Sequence, residues 1–213
     1  MHRSHRPLAA LSTLAAALLG LAACASTGPA VHLQTLMPAT LAARDAAISA
    51  RPPIAVELGT IRLPAQADQP QWLVRLPDGS VVALEQERWA SPLRDEFRQA
   101  LVEELIVHAG VVDVHGAAAG APPPWRLGVE VRRFDSMPGQ EARIEGSWTL
   151  LAGVPGARPW RCEWLVREAA AGGIPELAAA HRRAVVRLAD QIGDSLVALG
   201  RGAALECPRP DAR

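Results

Sequence analysis

The sequence predicts an α/β protein of the α+β type, a two-layer sandwich whose largely antiparallel sheet carries two long helices on one face. Three observations predict it. Residues 125–131, 144–150 and 160–166 each alternate apolar and polar side chains, the period-two signature of strands with one buried face. Short turns at Met137-Pro138-Gly139 and Val154-Pro155-Gly156 join them as a meander. Two longer stretches instead repeat apolar residues every three or four positions, the spacing of amphipathic helices that must lie on something apolar.

In chain order, residues 25–52 contain Pro38, Pro52 and many alanines with little periodicity, and read as tether and loop with a short strand candidate at Val31-His32-Leu33. From Pro53 the pattern tightens: Ile54, Val56 and Leu58 alternate, Ile61 and Leu63 follow, and Gly59 marks an irregularity. Gln71 to Leu76 and Val81 to Leu84 flank Pro77-Asp78-Gly79-Ser80, a turn sequence, and form a hairpin. Ser91-Pro92 opens the first helix, with Ser91 as N-cap and Pro92 in the first helical position. Its stripe is Leu93, Phe97, Ala100, Leu101 and Leu105. Arg94, Glu96, Arg98 and Glu103 lie off it, and Gly110 closes it.

Val111 to Val114 is strand-like and precedes a Gly/Ala/Pro loop. In the meander, Trp125, Leu127, Val129 and Val131 share one face; Ile144, Trp148 and Leu150 another; Trp160, Cys162, Trp164 and Val166 the third. The second helix runs from about Pro175 to Leu199 with Leu177, Val185, Leu188, Ile192 and Leu196 on its stripe, and Gly200 stops it. The tail through Cys207 is placed to return to the sheet.

The N-terminus carries a separate message. Met1 to Pro7 is basic with no acid, and Leu8 to Leu21 is an apolar run of about 14 residues, short of the roughly 20 that span a bilayer. It ends in Leu21-Ala22-Ala23-Cys24, which resembles the lipobox of bacterial lipoproteins. That resemblance implies cleavage before Cys24, a diacylglycerol on its thiol and an N-acyl chain such as palmitate on its amine. Two or more acyl chains anchor stably where one does not. Ala25 is not the Asp that retains many lipoproteins in the inner membrane, so the family rule points to the outer membrane, facing the periplasm. The expected organisation is a signal peptide over 1–23, a lipidated N-terminus and tether over 24–52, a single domain over 53–207 and a flexible tail over 208–213.

Removing residues 1–23 from 213 leaves 190, enough for one sizeable domain. The signal holds Arg3 and Arg6 and no acid. The mature chain therefore keeps 20 of 22 basic residues against 22 acidic, a formal charge of −2 with no basic cluster and no indication of a nucleic-acid partner. Two cysteines remain beyond Cys24. In an oxidising compartment an even remainder favours a Cys162–Cys207 disulfide, with two free buried thiols as the alternative.

Chemistry-bearing motifs are sparse. His32, His108, His115 and His181 have no zinc-site spacing, and His181, on the second helix's apolar stripe, reads as a hydrogen-bonded or boundary residue. There is no nucleophile elbow and no phosphate-cradling loop. Glu85-Gln86-Glu87 and Glu103-Glu104 are acidic clusters of a kind common on solvated surfaces. No cofactor, metal or catalytic residue is expected. Trp125, Trp148, Trp160 and Trp164 fall on inward faces and read first as core, with a lipid groove or aromatic partner surface as the second reading.

Trp89-Ala90-Ser91-Pro92-Leu93, a Trp followed by Pro-Leu opening an amphipathic helix, resembles the signature of the ABC-type transport auxiliary lipoprotein family (PqiC/YmbA-like). Pro53-Ile54-Ala55-Val56, Leu73-Val74-Arg75, Trp125 to Val131 with Phe134-Asp135, Ile144 to Leu150 and the C-terminal helix match its other elements in order. The chain departs where members carry an aromatic near Val31 and a tyrosine near 68–76; Tyr is absent and Trp72 stands there. The resemblance implies a non-catalytic accessory to MCE lipid transport, docking a periplasmic MCE-domain protein and its inner-membrane transporter. A phospholipid ligand and a ring-like homo-oligomer are further implications, and Trp89, Pro92 and Leu93 carry a structural role. Activation of a cell-wall synthase is the alternative function, and a periplasmic lipid or cell-wall hydrolase the third.

Overall fold

A computed structural model of the chain describes residues 28–37, 53–114 and 123–207. The chain divides into two units, Met1–Val31 and His32–Arg213, and every strand and helix named below belongs to the second. The signal peptide, Cys24, His115 and the tail over 208–213 lie outside the described residues.

The meander is built as its alternation requires. β6 (Trp125–Met137), β7 (Glu141–Leu151) and β8 (Trp160–Ala169) pair antiparallel, with Val129 opposite Trp148 and Trp148 opposite Cys162. Gly139 (φ 71°) and Gly156 (φ 78°) take the left-handed conformations that their turns need. β6 is longer than the alternation indicated, because a bulge between Val131 and Arg133 resets its phase and brings Phe134, Asp135 and Ser136 under cover. Trp148 and Trp164 are buried as expected. Trp160 is not: it is 37% exposed at the first residue of β8, beside half-buried Trp125, where the strand ends leave the core.

Gly146 shows how tightly the meander is packed. A Cβ there would lie 1.9 Å from the Glu130 carbonyl oxygen and 2.8 Å from the Trp164 ring. The obstacle is backbone, which cannot rotate away as a side chain can. Gly146→Ala is expected to cost about 3 kcal/mol, since overpacking of a closed core costs roughly 1–3 kcal/mol. Urea denaturation checks it; a change below about 0.5 kcal/mol, the usual range for surface sites, would contradict the close approach.

β2 (Ile54–Leu58) joins the meander by pairing parallel with β6, and β5 (Val111–Asp113) pairs parallel with β2, giving a five-stranded sheet ordered β5-β2-β6-β7-β8. The irregularity at Gly59 is real: the chain leaves β6 there and returns at Arg62, whose N–H bonds Val129 O at 3.1 Å. β3 (Gln71–Arg75) and β4 (Val81–Trp89) form the expected hairpin, with β4 running five residues further than the alternation indicated. They do not extend the main sheet. With β1 (His32–Gln34), parallel to β4, they make a second sheet ordered β1-β4-β3. The α+β class therefore stands, with the strands shared between two sheets and parallel pairs added to the antiparallel meander.

Helix α1 (Leu93–Ala109) buries Leu93, Phe97, Ala100, Leu101 and Leu105 as its stripe predicts, and Gly110 caps it at φ 68°. Its N-terminus differs from expectation by one residue. Pro92 (φ −49°, ψ 129°) is the N-cap and makes no side-chain cap, while the Ser91 hydroxyl donates to Glu96 Oε1 at 2.8 Å. Helix α2 (Ile174–Gly200) packs on α1 and across β7 and β8. Gly200 remains helical, and the left-handed residue is Gly202 (φ 74°).

The folded unit also begins earlier than Pro53. β1 pairs with Glu87 to Trp89, and Leu36 is 2% exposed. Both helices hold this segment: Glu96 accepts from the Leu36 N–H at 2.9 Å, and Arg182 donates to Thr35 O at 3.0 Å.

Candidate functional site

The signature Trp89-Ala90-Ser91-Pro92-Leu93 occupies the junction of the smaller sheet, the main sheet and the two helices. β4 delivers Trp89, whose N–H bonds Pro70 O at 3.0 Å, while the Ala90 N–H bonds Gln34 O at 2.8 Å. These bonds fix the strand end from both sides, so the helix must start where it does. Trp89 is 6% exposed and stacks on Trp72 of β3, with centroids 4.1 Å apart and planes at 27°. Its edge meets Phe134 of β6 at 5.9 Å. Leu93 is 1% exposed beneath it, and Pro92 stays at the surface.

Phe134 in turn stacks face to face on His181 of α2, with centroids 4.0 Å apart and planes at 7°. With Trp72 also meeting His181 edge-on at 5.9 Å, Trp72, Trp89, Phe134 and His181 form one closed aromatic cluster linking β3, β4, β6 and α2. Each ring contributes apolar burial plus roughly 0.5–1.5 kcal/mol per aromatic pair. Arg75 reinforces the same joint through two bonds to Asp135 Oδ1, at 3.0 and 2.9 Å, with Asp135 only 5% exposed.

His181 is completely buried, and its Nε2 lies 2.9 Å from the Ser136 hydroxyl. It is the hydrogen-bonded core residue its stripe position indicated. Burial alone lowers its pKa from the ordinary 6.5 to about 3, so the folded protein keeps it neutral. The unfolded chain binds a proton between those values and the folded chain does not. Stability therefore falls as pH drops from 6.5 toward 3, at up to about 1.4 kcal/mol per pH unit, and is unaffected above. His181→Leu is expected to remove that component from the pH profile of unfolding; an unchanged acid slope would contradict it.

Glu96 is the polar centre on the other side of the signature. It is 3% exposed and accepts from Thr35 Oγ1 at 2.6 Å as well as from Leu36 N and Ser91 Oγ. Its neighbourhood opens to solvent in a groove of about 430 Å³ lined by Asp68, Gln69, Pro70 and Trp89 to Pro92. The groove has Trp89 as its rigid base, and the Asp68–Arg94 ion pair ties the 64–70 loop to α1 beside it.

Cys162 and Cys207 are joined by a disulfide, with Cα atoms 5.4 Å apart. Cys162 is 1% exposed on β8, so the bridge ties the non-regular tail over 203–207 to an edge strand. Among the described residues no group of three His, Cys, Asp or Glu is arranged to hold a metal ion.

The model of the ABC-type transport auxiliary lipoprotein component matches residues 35–193, which include the first helix, the signature, the whole meander and the second helix's stripe through Ile192. The chain belongs to that family. No curated protein matches it. Two crystal structures share the auxiliary lipoprotein's fold. One is of an uncharacterized protein, 17% identical, covering 66% of this chain and 90% of the other at a TM-score of 0.59. The second is of protein XCC0632 from Xanthomonas campestris, 20% identical, covering 82% and 96% at a TM-score of 0.58. As a family of lipoproteins auxiliary to ABC-type transport, it works at the membrane-anchored cell envelope beside transporter subunits.

In the auxiliary lipoprotein, Trp89, Pro92 and Leu93 come together at one junction. Cys162 and Cys207 meet at another point of the fold, and Cys24 lies outside the described residues. The sequence reading missed Glu96 and Ser136. Glu96 carried a signal, since Leu93, Glu96 and Ala100 follow the same three-and-four spacing as the stripe. Ser136 carried only an indirect one: the consecutive Arg132-Arg133, both exposed, break the alternation where the bulge lies.

Proposed function

We propose that this auxiliary lipoprotein is held in the outer membrane by acyl chains on Cys24, faces the periplasm, and docks an MCE-domain protein as a non-catalytic component of an MCE/ABC-type lipid transport system. The match to the auxiliary family over residues 35–193 carries the reading. The lipobox-like Leu21-Ala22-Ala23-Cys24 and the residue Ala25 after it support the anchor and its membrane. The rigid construction of the signature supports a docking body over a moving catalyst. Trp89 is fixed by Trp72, Phe134 and two flanking backbone bonds, so the surface around it is preformed. A preformed surface loses less entropy on binding than a mobile one. ATP hydrolysis in such a system belongs to a separate subunit.

The test is a binding measurement between the mature acylated protein in detergent and the periplasmic region of the MCE-domain protein from the same bacterium. Saturable co-elution at micromolar concentration is expected. No complex at tenfold higher concentration, together with binding to a cell-wall synthase, would replace this reading with the adaptor alternative.

A further inference from the structure

A shallow polar basin of about 450 Å³ lies on the outer face of the main sheet, opposite the face that carries α2. Gly128 and Glu130 of β6, Ser147 and Thr149 of β7, Arg161 of β8 and Arg62 from the β2–β3 connection line it. Three features distinguish it from an ordinary solvated sheet face.

The first is Gly128. A glycine inside a strand weakens it and calls for a reason. Gly146, inside β7, has one, since a Cβ there would collide with the Glu130 carbonyl oxygen at 1.9 Å. Gly128 does not have a positive φ, and a Cβ there would meet nothing within 4 Å. What its missing side chain leaves is open floor, on which a ligand can approach the strand backbone.

The second is Arg62. Its backbone is fixed to β6 on both sides, by Arg62 N to Val129 O at 3.1 Å and Val131 N to Arg62 O at 2.8 Å. Its guanidinium is exposed and has no partner among the described residues. A planar five-donor fork, unpaired and carried on a backbone anchored at the basin's edge, can meet an oxyanion in two-point geometry.

The third is the arrangement across the basin. Arg161 pairs with Glu130 at 3.3 Å and with Glu163 at 3.5 Å, so its charge is largely answered. Glu130, which also accepts weakly from Ser147 at 3.5 Å, keeps acceptor capacity facing the basin. The Thr149 hydroxyl adds a donor between the two arginines. The lining therefore offers a free cationic fork and a hydroxyl for an anion, beside a carboxylate for a donor on the same ligand.

We propose that this basin binds a phosphate ester whose phosphate group sits on Arg62 above Gly128 and whose adjoining hydroxyl or ammonium reaches Glu130. The polar end of a phospholipid and a free phosphate ester share this chemistry. The site stands apart from the docking role: failure of a phosphate titration leaves that role intact, and failure of docking leaves this site intact.

The mature acylated protein in phosphate-free dodecyl maltoside is titrated with inorganic phosphate and, separately, with dihexanoyl-phosphatidylglycerol, following the arginine Nε–Hε resonances by NMR. A saturable shift of the Arg62 resonance, identified by its loss in Arg62→Gln, is expected. Affinity, read from backbone shifts around Gly128 and Thr149, should fall tenfold or more in Arg62→Gln. In Gly128→Leu, whose Cβ meets nothing within 4 Å and whose side chain covers the floor, backbone amides would be altered, so affinity is read from the Arg62 Nε–Hε resonance and should fall equally. Arg201→Gln, an exposed arginine at the C-cap of α2 and outside the basin lining, should bind as the parent does. Tenfold tighter binding of the lipid identifies a headgroup site, whereas equal binding identifies recognition of the phosphate group alone and overturns the contact to Glu130. No saturable shift with either probe, or affinity unchanged in both Arg62→Gln and Gly128→Leu, would overturn the proposal.

Discussion

Trp89→Ala is expected to destabilise the protein by about 4 kcal/mol, within the roughly 3–5 kcal/mol typical of Trp truncation in a core. The indole is 6% exposed and sits between Trp72 and Phe134, so its removal leaves a void bounded by two aromatic rings that cannot collapse together without moving β3 or β6. The loss also frees the start of α1, because Trp89 and Leu93 share the same packing. Trp89→Phe keeps the apolar contact and shortens the stack, and should cost about half as much. Equilibrium denaturation of the two variants measures both. A loss under about 1 kcal/mol for Trp89→Ala would mean that the signature faces a partner and not the core.

Cys207→Ala is expected to cost a similar amount, about 4 kcal/mol, by the loop-closure estimate for a 45-residue separation. Cys207 is exposed, so its substitution removes the bridge without opening a cavity, whereas Cys162→Ala adds the loss of a buried side chain next to Trp148. The tail over 203–207 has no regular structure of its own and depends on the bridge and on partly buried Leu205 to stay against the core. Denaturation of the parent with and without reductant should reproduce the effect of Cys207→Ala. Equal midpoints in oxidised and reduced parent would show that the bridge contributes nothing.

These two sites illustrate what the sequence makes legible. Periodicity located the meander and both helices because each has one face in water and one in the core, as Val129 and Glu130 or Leu101 and Arg98 show. It failed where tertiary contacts override local pattern. β1 (His32–Gln34) lies within one residue of the strand candidate at Val31-His32-Leu33, but its pairing with β4, and the hold of Glu96 and Arg182 on Thr35 and Leu36 just after it, come from distant segments that no local pattern shows. The division into two sheets was hidden because strand pairing is a property of distant segments. Trp160 has the phase of a core residue and the position of a strand end, and position decides its exposure. At the N-terminus of α1, Ser91 has the composition of a cap, but the helix starts one residue later with Pro92 at the N-cap, and the Ser91 hydroxyl donates to the buried Glu96 carboxylate.

The basin on the outer sheet face was invisible for a related reason. Arg62, Gly128 and Arg161 belong to segments far apart in the chain, and the parallel pairing of Arg62 alongside β6 and the meander itself assemble them. The signature at Trp89, by contrast, is contiguous, so family resemblance reached it directly and the structure supplied its physical role.

The most direct test of the transport role is a mild-detergent pull-down of the acylated protein from native membranes, with co-purifying proteins and lipids identified by mass spectrometry. The expected result is an MCE-domain protein together with its inner-membrane transporter subunits, recovered from an outer-membrane fraction. Recovery of cell-wall synthases without any MCE-domain protein would contradict it.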